Sequence, residues 1–210
     1  MAIKINLQQT EKDLFCSSKW WGDPEMNPDA SYPVVKCEID GEESEYPLTF
    51  ICQINLEDIA PYDKEGRLPH EGMLYFFAAL DEYAGYDSPV HNGIGPWDKG
   101  QFKVKYSKHV NFETFESCIL IDDDDQPLTE PALEMTFEAC EDSSDCTKLL
   151  GEPFFEEVRS ENPGLVNLLQ IDSDTAGLQF FDEGQLNFLI DPKALSEGKF
   201  STVKVYLCSL

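Results

Sequence analysis

Four short landmarks recur in the same order in the two halves of this 210-residue chain, and each is the length of a strand or a turn. Gly22-Asp23-Pro24, following Trp20-Trp21, matches Gly151-Glu152-Pro153, following Leu149-Leu150. Leu48 to Asn55 matches Leu165 to Asp172, Gly72 to Phe77 matches Gly184 to Leu189, and Phe102 to Tyr106 matches Val203 to Leu207. The last three are rich in β-branched and aromatic residues and bounded by Gly, Pro and Asp, which is the composition of strands. Phe102, Val104 and Tyr106 alternate with lysines and predict one buried and one solvated face. Phe50 to Ile54 is almost continuously apolar and reads as a central strand.

Helical signals are short. Asn55 is placed to cap Leu56 to Ala60 before Pro61 stops it, and Asp191, with Pro192 at the first helical position, opens a second helix that Gly198 ends. One longer helix is predicted from Glu130 to about Cys140: Leu133, Phe137 and Cys140 share one helical face, and Glu134, Glu138 and Glu141 another. Together these patterns predict an α+β, β-rich fold, internally duplicated, with pseudo-symmetric antiparallel or mixed sheets and a few short helices. No Ser/Gly-rich linker separates the halves. The chain therefore reads as a single domain of two repeats, about 20–110 and 149–210, joined by an acidic connection, about 111–148.

Charge narrows the function classes. Fifteen Lys and Arg stand against 41 Asp and Glu, a formal charge of −26. A field of that sign repels phosphate backbones and anionic lipid, which argues against nucleic acid and membrane and favours cations or a basic protein as partner. The charge is polarised: Asn111 to Glu161 carries sixteen acids against only Lys148 and Arg159, whereas no acid lies between Lys99 and Phe112. No apolar run approaches the roughly 18 residues of a spanning helix, and the seven cysteines are odd in number without paired spacing. Reduced thiols, a cytoplasmic location and a monomer are the expectation. No P-loop, dinucleotide fingerprint, H-E-x-x-H or G-x-S-x-G is present, so enzymatic activity is left open with a leaning against it.

The ordered set Trp20-Trp21-Gly22-Asp23-Pro24, Cys52-Gln53-Ile54-Asn55, Gly72 to Phe77, Leu149-Leu150-Gly151-Glu152-Pro153, Leu169 to Asp174 and Gly184 to Phe188 resembles the bacterial YwqG-like family, a family of domains of unknown function. The resemblance spans nearly the whole chain. It implies a β-rich α+β fold, a bacterial cytoplasmic protein and, for some members, an immunity-like or partner-binding role. It brings no catalytic residues with it.

Three groups of residues are candidate sites. Gln53 and Gln170 hold equivalent places in matched strands and, with Trp20 and Trp21, are candidates to line a small-ligand cleft between the repeats; the competing reading is that the amides satisfy backbone groups inside the sheet. Asp122, Asp123, Asp124 and Asp125, together with the Glu134, Glu138 and Glu141 face, are candidates to engage a basic protein partner. Asp172 and Asp174, with Glu183 at the twelfth position, superficially fit a loop for a divalent cation such as calcium, although Ala176 stands where a third oxygen is wanted. No other cofactor is expected. The leading expectation is a non-enzymatic, immunity-like or regulatory acidic binding protein. A small-ligand or metal-binding domain is the alternative, and a hydrolase of unknown substrate comes third.

Overall fold

Two-residue alternation dominates the chain and is realised as a succession of strands. The computed structural model describes residues 1–39, 41–122 and 124–209. Its strands begin with β1 (Ala2–Gln8), β2 (Lys19–Trp20), β3 (Glu25–Met26), β4 (Val34–Ile39), β5 (Glu42–Pro47), β6 (Thr49–Asn55), β7 (Met73–Ala78) and β8 (Gly95–Pro96). They continue with β9 (Phe102–Ser107), β10 (Glu116–Ser117), β11 (Leu133–Cys140), β12 (Lys148–Leu149), β13 (Val166–Asp172), β14 (Gln185–Ile190) and β15 (Lys204–Cys208). Helices α1 (Leu56–Ile59), α2 (Glu156–Glu161) and α3 (Pro192–Ser196) are each under two turns. The Asn55 and Asp191 side chains accept from the first backbone N–H groups of α1 and α3. Among the described residues no helix is long and apolar enough to cross a membrane.

Eleven strands form one sheet in the order β8-β15-β14-β13-β12-β1-β11-β2-β6-β7-β9, with every neighbouring pair antiparallel. Six strands separate β7 from β14 along that order, yet the rings of Phe76 and Phe188 meet edge to face with centroids 5.3 Å apart. The sheet is therefore curled into a half-barrel whose two arms close on each other. Alternate residues of β7 and β14, namely Leu74, Phe76 and Ala78 with Leu186, Phe188 and Ile190, fill the inner core. The opposite face of β7, Met73, Tyr75 and Phe77, packs into a second core under the β4–β5 hairpin with Val35, Leu48 and Phe50. Burial on both faces explains why β6 and β7 read as continuous apolar runs.

These findings correct the expected fold class. Strand accounts for 37% of the chain and helix for 12%, so the protein is mostly β rather than α+β. One eleven-stranded antiparallel sheet, accompanied by the small β3–β10 and β4–β5 pairs, stands where pseudo-symmetric, duplicated antiparallel or mixed sheets were expected, and the structure does not show the duplication. The helix predicted from Glu130 to Cys140 is strand β11. Leu133, Met135 and Phe137 point to the core with period two; only Leu133 and Phe137, four apart, suit both periods, and full-length pairing with β1 from Ala2↔Cys140 to Gln8↔Glu134 selects the strand. Part of the acidic connection thus lies at the middle of the sheet, next to β1.

On the outer face a buried ion pair ties strands together. Lys19 Nζ lies 2.5 Å from Glu25 Oε1, and the two residues are only 5% and 2% exposed. Glu25 Oε2 also accepts from Gln53 Nε2 at 2.6 Å and from the Cys16 backbone N–H at 3.0 Å, while Tyr75 Oη donates to the Glu25 carbonyl. One residue of β3 is thereby bonded to β2, β6 and β7. Removing one partner of a buried pair leaves the other charge without compensation, at a cost of about 3–5 kcal/mol. Glu25→Gln is expected to lose stability of that order in urea denaturation; a change under about 1 kcal/mol would show that the pair is not what holds these strands.

Candidate functional site

Between β2 and β3 the chain makes a tight turn, Trp21 to Pro24, in which Trp21 (φ 58°) and Gly22 (φ 73°) are both left-handed. A β carbon on Gly22 would stand 2.8 Å from that of Ala132, so glycine is required twice over. A bulky residue at positive φ is a strained arrangement, and such strain concentrates where side chains are held for use. Here it is held by Trp21 N–H donating to the Ile51 carbonyl, Gly22 N–H to the Glu130 carbonyl, and Trp21 Nε1–H to the Ala176 carbonyl. The turn thus joins Trp21 to the start of the Glu130 segment.

Trp21 lines a cavity of about 400 Å³, within the size range of small-ligand sites. The other walls come from Tyr32, from Tyr46 to Phe50 across the end of β5 and the start of β6, from Asp81, Ala84, Tyr86 and Asp87, and from Leu120 and Pro127 to Glu130. Asp81 is half-buried and bonded on both oxygens: Thr49 Oγ1 donates to Oδ1 at 2.5 Å and Tyr46 Oη to Oδ2 at 2.8 Å. Burial, followed by the bond to Asp81, pushes the Tyr46 hydroxyl up to about 12, so it remains a donor across the ordinary pH range. At the mouth, Tyr86 Oη donates to Glu130 Oε1, and that bond is the main cause of the raised Tyr86 value. Among the described residues none of Asp81, Asp87 and Glu130 is in an ion pair, so three carboxylates face one aromatic cavity without a cation.

The structure places the sequence candidates as follows. Gln53 and Gln170 lie on β6 and β13, with four strands between them along the sheet. Each is satisfied internally. Gln53 accepts from Glu25 N–H and donates to the Ser17 carbonyl and to Glu25, and Gln170 accepts from Phe154 N–H and donates to the Ser144 and Cys146 carbonyls. Trp20 is fully buried in the inner core; Trp21 alone of the pair reaches the cavity. Tyr86 also lines it.

The two acidic groups differ. Asp122 Oδ1 accepts from the backbone N–H groups of Asp124 and Gln126, and Leu128 N–H donates to the Leu120 carbonyl, so this run is the tip of a hairpin that supplies one cavity wall. Asp124 and Asp125 are exposed on that tip, and Asp123 lies outside the described residues. Glu134 and Glu138 point to one side of β11, where Lys12 and Gln8, and Lys4 and Asn6, respectively bond them and hold both carboxyls below the usual range. Glu141 follows the end of β11, so the three glutamates form no common face. The sequence reading missed Asp81, Asp87, Tyr32 and Tyr46, which are ordinary surface residue types until the fold brings them together.

Asp172 accepts from Gln185 Nε2 at 3.0 Å, and Asp174, itself at φ 67°, accepts from Gln179 Nε2 at 2.8 Å. Glu183 stays exposed on the turn before β14. Among the described residues no group of three or more His, Cys, Asp or Glu converges to hold a metal ion.

A family model for a domain of unknown function, DUF1963, matches residues 18–208. The chain belongs to the DUF1963 family. The match covers the cavity walls and all of the sheet except β1, and no curated protein matches the chain.

Asp172 provides a pH test. Burial, then the nearby charges of Asp145 and Asp174, raises its carboxyl above the ordinary 3.8. A carboxyl with a raised folded value binds its proton more readily in the native state, so this group lowers stability at neutral pH and the penalty disappears as pH falls through the raised value toward 3.8. Asp172→Asn is expected to have the higher denaturation midpoint at pH 7, with the gap to wild type closing as pH approaches 4. A gap that widens on acidification would reverse the assignment.

Proposed function

We propose that this DUF1963 member, YwqG-like in its ordered motifs, is a non-enzymatic acidic binding protein of immunity-like or regulatory type that engages a basic protein. The observation that carries this reading is the aromatic cavity whose three carboxylates, Asp81, Asp87 and Glu130, have no cation of their own among the described residues. Glu134 and Glu138 on β11 are paired in cis, whereas Asp81, Asp87 and Glu130 line a concave, partly apolar surface, and that surface rather than the lack of pairing sets them apart from the other acids. The neighbouring hairpin adds the exposed Asp122, Asp124 and Asp125 together with exposed Ile119, Ile121 and Leu128. Such a surface offers both long-range attraction for a basic partner and apolar area to bury on contact. The bound partner would be blocked sterically and electrostatically.

The test is capture from a lysate of the native cells by the immobilised protein. A basic protein retained stoichiometrically at low salt, released as salt rises, and lost in the Asp81→Asn/Glu130→Gln double variant is the expected result. The Glu134→Gln/Glu138→Gln double variant should retain it, because those carboxylates are already committed to Lys12 and Lys4. Retention that is indifferent to salt and to Asp81 and Glu130 would overturn the reading.

A further inference from the structure

We propose that the Trp21 cavity recognises an N-alkylated, quaternary ammonium group in preference to a primary ammonium or a guanidinium. The inference rests on this cavity being the binding site, as proposed above, and not on the partner's being a protein.

The walls supply two things. Trp21, Tyr32, Tyr46, Phe50 and Tyr86 provide aromatic surface, and Asp81, Asp87 and Glu130 provide negative charge. Either alone is unselective among cations. Selectivity comes from what the carboxylate oxygens already do. Both oxygens of Asp81 accept from hydroxyls, Tyr46 and Thr49, and one oxygen of Glu130 accepts from Tyr86. A guanidinium gains its advantage from two parallel bonds to a carboxylate with both oxygens free; at Asp81 that approach competes with the bonds from Tyr46 and Thr49 and at Glu130 with the bond from Tyr86, while Asp87, which has no hydrogen bond among the described residues, is exposed at the rim, where water competes for it. A primary ammonium brings three N–H donors, each of which must find an acceptor when it leaves water. A quaternary ammonium has no donor to satisfy. It is attracted by the ring quadrupoles at contact and by the carboxylates at a distance, which is the recognition that aromatic cages use. At about 400 Å³ the cavity admits such a headgroup with part of the chain that carries it.

The same headgroup occurs on a small alcohol, choline, and on trimethyl-lysine in a peptide. Isothermal titration of the full chain with choline, N-acetyl-trimethyl-lysine amide, n-butylammonium and n-butylguanidinium compares them. One or both quaternary ligands should bind about tenfold more tightly than the last two, and the tighter quaternary ligand indicates which source the cavity suits. Tyr46→Phe frees an oxygen of Asp81 and should narrow that ratio by improving n-butylammonium binding. Glu130→Gln, at an exposed position where folding is not at risk, should weaken every cation. Equal or tighter binding of n-butylguanidinium or n-butylammonium, no binding of either quaternary ligand, or a ratio untouched by Tyr46→Phe would overturn the proposal. The two readings fail separately: salt-sensitive capture of a basic protein can persist when the headgroup series fails, and headgroup binding can persist when no protein is captured.

Discussion

The Lys19–Glu25 pair closes the base of the turn from Trp21 to Pro24, and the candidate site is assembled on that turn. On one side of the pair, β2 carries Trp21 into the cavity; on the other, β3 is locked by the carboxylate of Glu25 to Gln53 and by its carbonyl to Tyr75. Between them Gly22 N–H takes the Glu130 carbonyl and Asp23 accepts from Thr129, so the segment that forms the far wall hangs from the same few residues. Both charges are taken out of water, and the surrounding hydrogen bonds to Gln53 and Cys16 N–H make the arrangement tolerable. Position, rather than net stabilisation, is what such a pair supplies: each charge has one acceptable place to be.

The acidic composition is used in three ways. Along β11, Glu134 and Glu138 are neutralised by lysines of the N-terminal segment and support the middle of the sheet. In the tip of the hairpin, Asp122 spends an oxygen on its own turn. At the cavity, Asp81 and Glu130 are hydrogen-bonded by hydroxyls, which orient a carboxylate without cancelling its charge. The overall −26 therefore says little about where a cation would be recognised; the local partners of each acid decide it.

Much of the strand content was legible. Phe50 to Ile54, Gly72 to Phe77 and Phe102 to Tyr106 became β6, β7 and β9 because β-branched and aromatic runs between Gly, Pro and Asp have few other ways to bury their apolar residues. The helix caps at Asn55 and Asp191 were equally local and were readable for that reason. The segment from Leu133 to Cys140 was not, since Leu133 and Phe137, four apart, suit a period of two as well as one near 3.6, and the choice belongs to β1, which lies more than 120 residues away in sequence. The placement of Gln53 and Gln170 was not legible for a similar reason: equivalent places in matched segments carry no information about the four strands between them or the internal bonds each amide makes.

The sequence by itself determined the local matters: strand-rich composition, the turns and caps, the excess of acid and the absence of familiar catalytic motifs. The tertiary structure alone decided which carboxylates are already paired, which aromatic rings are core and which line a wall, and that Tyr32, Tyr46, Asp81 and Glu130 meet at all. The physical reason is distance along the chain. Propensity and capping act over a few residues, whereas the cavity is built from contacts between segments as far apart as Trp21 and Glu130, which only the curl of the sheet and the turn at Gly22 bring together.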